Sequence, residues 1–182
     1  FNEAGEKGEE LAEKVKETAR KYNIRFMGPN CIATANSYKN LCLPFVPNLK
    51  MDKGGFSLIS QSGGLGIFQW NSLGNENLGF SKFASIGNKL DVTEAEVLEY
   101  FGNDPETKVI GMYLENISDG KALIEAAEKI DKPVLIYKAN RTSAGQQAAM
   151  SHTAALSNDD EIVDTAFERA GIIRVKRFND FI

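Results

Sequence analysis

A single histidine, His152, and two cysteines, Cys31 and Cys42, are the only imidazole and thiol groups in this chain of 182 residues. One histidine excludes every motif that needs a second, including the paired zinc-binding imidazoles of a helix. Two cysteines are too few for a disulfide scaffold and lack zinc-ligand spacing, so no metal site is expected. Positive charge is not in excess: 21 Lys and Arg face 25 Asp and Glu, for a formal net charge of −4, and the pI is near 5.2. That balance recommends neither nucleic acid nor an anionic membrane as partner. No apolar run approaches the roughly 20 residues that a bilayer span requires. The phosphate-loop pattern G-x-x-x-x-G-K-[ST] is missing, since Gly120-Lys121 is followed by Ala122, which has no hydroxyl. G-x-G-x-x-G is missing too, as is the G-x-S-x-G elbow of serine hydrolases. Internal repeats and low-complexity tracts are absent. Asn116-Ile117-Ser118 and Asn140-Arg141-Thr142 match the glycosylation pattern, but no secretory signal precedes them, and both read as chance in a cytoplasmic protein.

What is present is the composition of a folded soluble domain, 42% apolar and 25% charged. Residues 3–22 predict a charged helix with Leu11, Val15, Ala19 and Tyr22 on one apolar stripe. Residues 24–27 predict a short strand closed by the turn Gly28-Pro29-Asn30. Residues 33–55, with Pro44, Pro47 and Gly54-Gly55, predict a linker ending in a turn. Strands and helices then alternate: strand 56–60, helix 65–73, strand 80–86, helix 93–101, strand 109–114, helix 121–130, strand 134–137, helix 159–170 and strand 172–175. Such alternation predicts βαβ crossovers and a parallel sheet covered on both faces. The expected fold class is α/β, a three-layer α/β/α sandwich of flavodoxin-like type, with sites outside the carboxyl ends of the strands. The chain opens at Phe1 directly into a helix, and it is expected to be a piece of something longer.

Four places suit chemistry. Ser60-Gln61-Ser62-Gly63-Gly64-Leu65-Gly66 joins a strand to a helix, where backbone N–H groups and the helix dipole make an anion site. The alternative is a tight turn with no ligand. Glu115 follows strand 109–114, where a carboxylate can hold an imidazole in one tautomer and favour its charged form, unless it is a solvated acid at a loop start. His152 sits in Met150-Ser151-His152-Thr153-Ala154-Ala155-Leu156, after the small residues of 144–149. A neutral imidazole is a nucleophile that can carry a covalent intermediate, although a lone histidine is often only a surface or core residue. In Gly87-Asn88-Lys89-Leu90-Asp91, Asn88, Lys89 and Asp91 either bind a ligand or serve the following helix, with Asp91 as its cap.

Taken in order, Gly28-Pro29-Asn30-Cys31, Ile59-Ser60-Gln61-Ser62-Gly63-Gly64, Gly87-Asn88-Lys89-Leu90-Asp91, Tyr113-Leu114-Glu115, Lys132-Pro133-Val134 and Ser151-His152-Thr153 resemble the nucleoside-diphosphate-forming acyl-CoA synthetases. That family includes the succinyl-CoA synthetase α subunit, and the versions here are closer to the ADP-forming acetyl-CoA synthetases. Each motif is weak alone, but six in one order cover nearly the whole chain. The resemblance implies that His152 is the phosphorylated histidine and Glu115 the acid that supports it. Ser62, Gly63 and Gly64 would receive the phosphate, with Ser151 and Thr153 as further contacts. Gly28, Pro29, Asn30 and Cys31 would lie next to the thiol end of CoA. Residues 1–50 would then be the C-terminal remnant of a CoA-binding Rossmann-like domain plus linker, and residues 51–182 a ligase domain.

The full enzyme that this implies converts acyl-CoA, nucleoside diphosphate and phosphate to acid, nucleoside triphosphate and CoA. It would use CoA and ADP/ATP with Mg, none of them bound permanently here, and an ATP-grasp domain or β subunit, and it would form an oligomer. The fragment alone is expected to be inactive. The chain departs from the family pattern at Ala154 and Asn158, and again at Asn140, where glycines are usual. Alanine lacks easy access to positive φ and asparagine tolerates it better, so these changes bear on how the histidine loop moves and whom it touches. They also leave open a non-catalytic regulatory or docking domain, as in relatives fused to an acyltransferase. An unrelated flavodoxin-like ligand binder is the remaining alternative.

Overall fold

The computed structural model describes residues 5–45, 49–76, 78–140, 160–177 and residue 180. Five helices and seven strands are seen among them: α1 (Gly5–Lys21), β1 (Ala33–Asn36), β2 (Leu41–Pro44), β3 (Lys53–Ser60), α2 (Gly63–Asn75), β4 (Phe80–Ser85), α3 (Glu94–Gly102), β5 (Val109–Leu114), α4 (Gly120–Glu128), β6 (Val134–Lys138), α5 (Asp160–Arg169) and β7 (Ile173–Arg174). The strands form one sheet in the order β2-β1-β4-β3-β5-β6-β7. From β4 to β7 every pairing is parallel, as the alternation of strands and helices predicts, and the molecule has the expected α/β architecture.

Alternation along the strands sets the two faces. On β3, Ile59 packs on one face with Leu98 and Phe101 of α3, Leu123 of α4 and Phe167 of α5. Its neighbour Leu58 points to the other face, against Trp70 and Leu73 of α2. Each of these large side chains is close to fully buried, and each contributes about 1.5–3 kcal/mol of transfer free energy. Trp70 stacks at a tilt on Phe80 and Phe83, with ring centroids 5.2 and 5.1 Å away.

The structure corrects several expectations. Residues 33–55 are not a linker: β1 and β2 pair antiparallel with each other, and β1 pairs antiparallel with β4, extending the sheet. Ala33 and Ala35 are buried against the α2 side of the core, which gives this short hairpin a reason to dock. The predicted turn at Gly54-Gly55 lies inside β3, where the register with β4 shifts. Residues 24–27 form no strand. They lie along the loop after β4, with Val92 N donating to Phe26 O at 3.2 Å and Leu90 N to Gly28 O at 2.8 Å. That neighbour is an irregular loop and cannot continue a ladder. In α1 the residues that are buried are Gly8 and Ala12, while Leu11 and Tyr22 of the predicted stripe are exposed. The remaining elements fall within three residues of their predicted ends. Position 159 of the last predicted helix lies outside the described residues.

Candidate functional site

Strands β3, β4 and β5 are neighbours in the sheet, so the loops leaving their carboxyl ends meet. Parallel βαβ packing places sites there. The turn after β3 is held at both ends. Ser60 Oγ donates to Ser62 O at 2.6 Å, and Gln61 N continues the ladder to Tyr113 O at 2.9 Å. Ser62 is the N-cap of α2, accepting from Leu65 N. The amides of Gly63 and Gly64 therefore fall in the first turn, where helical geometry offers no acceptor and the dipole is positive. The two glycines differ. A Cβ at Gly63 would lie 2.8 Å from Ile32 Cγ2, whereas one at Gly64 would meet nothing within 4 Å. Gly63 is thus required by packing, whereas Gly64 is exposed and has room beside it.

Glu115, directly after β5, is tied to that turn through Gln61. Gln61 Oε1 accepts from Glu115 N at 3.0 Å and from Asn116 N at 3.2 Å, and its Nε2 donates to Asn116 Oδ1. From the other side Lys138, at the end of β6, donates from Nζ to Glu115 O at 2.8 Å and Ala139 O at 2.7 Å. Lys89 Nζ donates to Asn116 O at 2.9 Å and pairs with Glu94 at 3.1 Å. Glu94 in turn accepts from the backbone N–H and hydroxyl of Ser118.

The turn at residues 28–31 packs beneath the loop after β4. Asn88 N donates to Pro29 O at 2.9 Å, the Gly28–Pro29 bond is cis, and Asn30 has φ 64. Ile32, next along the chain, donates from N to Ser85 Oγ at 3.2 Å and also touches Gly63. Cys31 is exposed as a residue, yet its sulfur lies against Gly28, and desolvation pushes the thiol up to about 11. At neutral pH it is not a thiolate nucleophile.

Thus Ser62, Gly63, Gly64 and Glu115 come together, with Gly28, Pro29, Asn30, Cys31 and Asn88 alongside. His152, Ser151 and Thr153 lie outside the described residues. Asp91 goes elsewhere: it binds Arg25 at 3.0 Å and accepts from Phe26 N at 2.8 Å. The cap of α3 is Thr93, which forms a capping box with Glu96, so Asp91 is not the cap. Gln61, Glu94, Asn116 and Lys138 received no role from the sequence, and Lys89, a candidate beside Asn88 and Asp91, pairs with Glu94. Asn140 takes φ 58, the left-handed conformation that asparagine tolerates. Among the described residues no group of three or more His, Cys, Asp or Glu could hold a metal ion, and no helix is long and apolar enough to cross a membrane.

Lys138 gives a pH signature. Burial first, then the charge of Arg174, pushes its ammonium down to about 8 from an ordinary 10.5. Below about pH 8 both folded and unfolded chains hold this proton, and its contribution is flat. Between about 8 and 10.5 the unfolded chain holds more protons, so this residue makes stability rise with pH. Cys31 acts in the opposite sense from about 9 upward, which makes a difference measurement necessary. Between pH 7.5 and 9.5 wild type should gain about 1–2 kcal/mol on Lys138→Met in urea denaturation. Parallel pH profiles for the two proteins would refute the shift.

Residues 53–182 match the succinyl-CoA ligase-like flavodoxin domain family. The chain is 42% identical over 184 residues to an ADP-forming acetate–CoA ligase of Methanocaldococcus jannaschii, covering 100% of this chain and 26% of that protein. It is 40% identical over 182 residues to ADP-forming acetate–CoA ligase II of Archaeoglobus fulgidus, covering 99% of this chain and 27% of that one. Among solved structures, the dinucleotide forming acetyl-coenzyme A synthetase 1 of Ca. Korarchaeum cryptofilum, in complex with phosphate and ADP, superposes with a TM-score of 0.92 at 36% identity, covering 100% of this chain and 39% of that one. The chain therefore spans about a quarter of the length of those two relatives.

Proposed function

Because the chain belongs to the succinyl-CoA ligase-like flavodoxin domain family, we propose that it is the histidine-bearing ligase domain of an ADP-forming acid–CoA ligase of the acetate-using type. The observation that carries this reading is the junction of the Ser62–Gly64 turn with Glu115 at the ends of adjacent strands, tied by Gln61. These are the two partners that a phosphorylated imidazole needs. Neutral backbone donors and a helix dipole hold about two negative charges without a permanent cation, and a carboxylate orients the ring.

In the synthetic direction the γ-phosphoryl group of the nucleoside triphosphate passes to a His152 ring nitrogen, and the diphosphate leaves. The acid's carboxylate then takes the phosphoryl group, giving an acyl phosphate and freeing the imidazole. The CoA thiol attacks the acyl carbon, forms the thioester and releases phosphate. Positioning and charge stabilisation carry most of phosphoryl transfer, and Ser62, Gly63 and Gly64, with Ser151 and Thr153, are the groups proposed to supply them. Gly28, Pro29, Asn30 and Cys31 belong beside the CoA thiol, with the residues ahead of β1 as the tail of a CoA-binding domain, since β1 and β2 join the ligase domain's own sheet. The packing of Ile32, next to that turn, against Gly63 supports this reading, because it brings the turn beside the start of α2. An ATP-grasp domain or β subunit would supply the nucleotide and its Mg; the described residues hold no acidic cluster for the metal.

Incubating the full-length protein and its nucleotide-binding part with γ-labelled ATP tests the reading. The expected label is acid-labile and absent in His152→Ala, and the 182-residue chain alone makes no acyl-CoA. Label retained in His152→Ala, or none in wild type, refutes the reading; the second result favours a non-catalytic module.

A further inference from the structure

The phosphate turn and the acid sit on different strands, and one side chain joins them. Gln61 immediately precedes the N-cap of α2, and its Oε1 accepts both amides that begin the loop after β5, at 3.0 and 3.2 Å. Its Nε2 donates to Asn116 Oδ1, so three contacts cross from one loop to the other. We propose that Gln61 is a positioning residue that fixes Glu115 relative to the N-terminus of α2, and through Glu115 sets the orientation of the phosphoryl-accepting imidazole. This rests on the function proposed above.

The geometry makes the coupling direct. Gln61 N is held on Tyr113 O at 2.9 Å, so its backbone follows β5, and Ser62 follows Gln61 without an intervening residue. The carbonyl of Glu115 is held separately by Lys138 at 2.8 Å. Between them these contacts hold both ends of the Glu115 peptide unit. Two amides on one oxygen also make that oxygen hard to replace: an apolar isostere leaves two partly buried N–H groups to find water. The hydrogen bonds of the Gln61 side chain go to Glu115 and Asn116, so its loss should disturb placement and leave binding intact.

The full-length protein with its nucleotide-binding part is assayed as Gln61→Met, an unbranched replacement of similar length, beside Glu115→Gln and His152→Ala. Gln61→Met is expected to lower kcat for acyl-CoA formation about 10–100-fold, with KM for CoA unchanged. Its pH profile is the decisive readout. A displaced carboxylate no longer favours the imidazolium, so the rising limb should move to lower pH, as in Glu115→Gln. The other groups whose charge couples to Glu115 are Lys89, Lys138 and Tyr113, and the substitution leaves all three in place. A wild-type rate, or a rate lowered equally at every pH with the limb unmoved, overturns the proposal. If Gln61→Met does not fold, Asn116→Ala removes the Nε2 contact alone, and the same shift or its absence decides. Label surviving in His152→Ala defeats the underlying function. Label lost only there, with Gln61→Met behaving as wild type, defeats only the positioning role.

Discussion

Gly87→Ala is expected to destabilise the chain by about 2–5 kcal/mol, the sum of roughly 1–2 for forcing an L side chain into the left-handed region and about 1–3 for overpacking. Gly87 has φ +53, and a Cβ there would lie 2.2 Å from Pro29 O and 2.7 Å from Asn30 O. Both obstacles are backbone, so no side chain can swing aside. Relief requires the 28–30 turn to withdraw, and that turn is pinned by Asn88 N on Pro29 O, Leu90 N on Gly28 O and Asp91 on Phe26 N. Urea denaturation measures the loss. A change below about 1 kcal/mol would mean that the two loops separate easily and are not a built unit. In the full-length protein the same substitution should raise KM for CoA more than it slows phosphorylation of His152, because the Ser62–Gly64 turn has its own anchors in Ser60 and Gln61.

How far the fold was readable follows from where its signals lie. From β3 to β6 each element carries its own period, and the strand ends place Ser62 and Glu115 at the carboxyl edge without further information. The hairpin β1–β2 carries none. Its four-residue strands lack a β-branched run, Pro44 ends one of them, and they dock because Ala33 and Ala35 find Trp70 and Phe83, which come from distant parts of the chain. Thr93-Glu94-Ala95-Glu96 does spell a capping box, and that spacing could have freed Asp91 from the capping role. Nothing local reveals that Asp91 turns to Arg25. Gln61 and Lys138 stayed silent for the same reason. Their contacts depend on the registers of β3 with β5 and of β5 with β6, which are tertiary facts. The left-handed Asn140 was partly legible, since asparagine tolerates that conformation.

Lys89→Met should cost about 3–5 kcal/mol at pH 7, because it strands a buried carboxylate. The Lys89 and Glu94 side chains are 2% and 1% exposed, with nitrogen and oxygen 3.1 Å apart. Glu94 opens α3 and accepts from the N–H and hydroxyl of Ser118, so the helix start and these two donors favour a negative charge there. Removing its cation leaves a charge with no cheap escape. The reverse change differs. Burial already holds the Lys89 ammonium below its ordinary range, against the opposing pull of Glu94. In Glu94→Gln the amine can release its proton, so the cost should be nearer 1–3 kcal/mol, mostly lost hydrogen bonding. The double variant Lys89→Met/Glu94→Gln should be more stable than Lys89→Met alone, giving a coupling energy of about 0.5–3 kcal/mol in a double-mutant cycle. Equal single costs with simple additivity would show that the pair acts as two solvated surface groups. The consequence reaches the site as well. Lys89 holds Asn116 O and Glu94 holds Ser118, so Lys89→Met also loosens the loop that begins at Glu115, and in the full-length protein phosphorylation of His152 should slow even at temperatures where the variant remains folded.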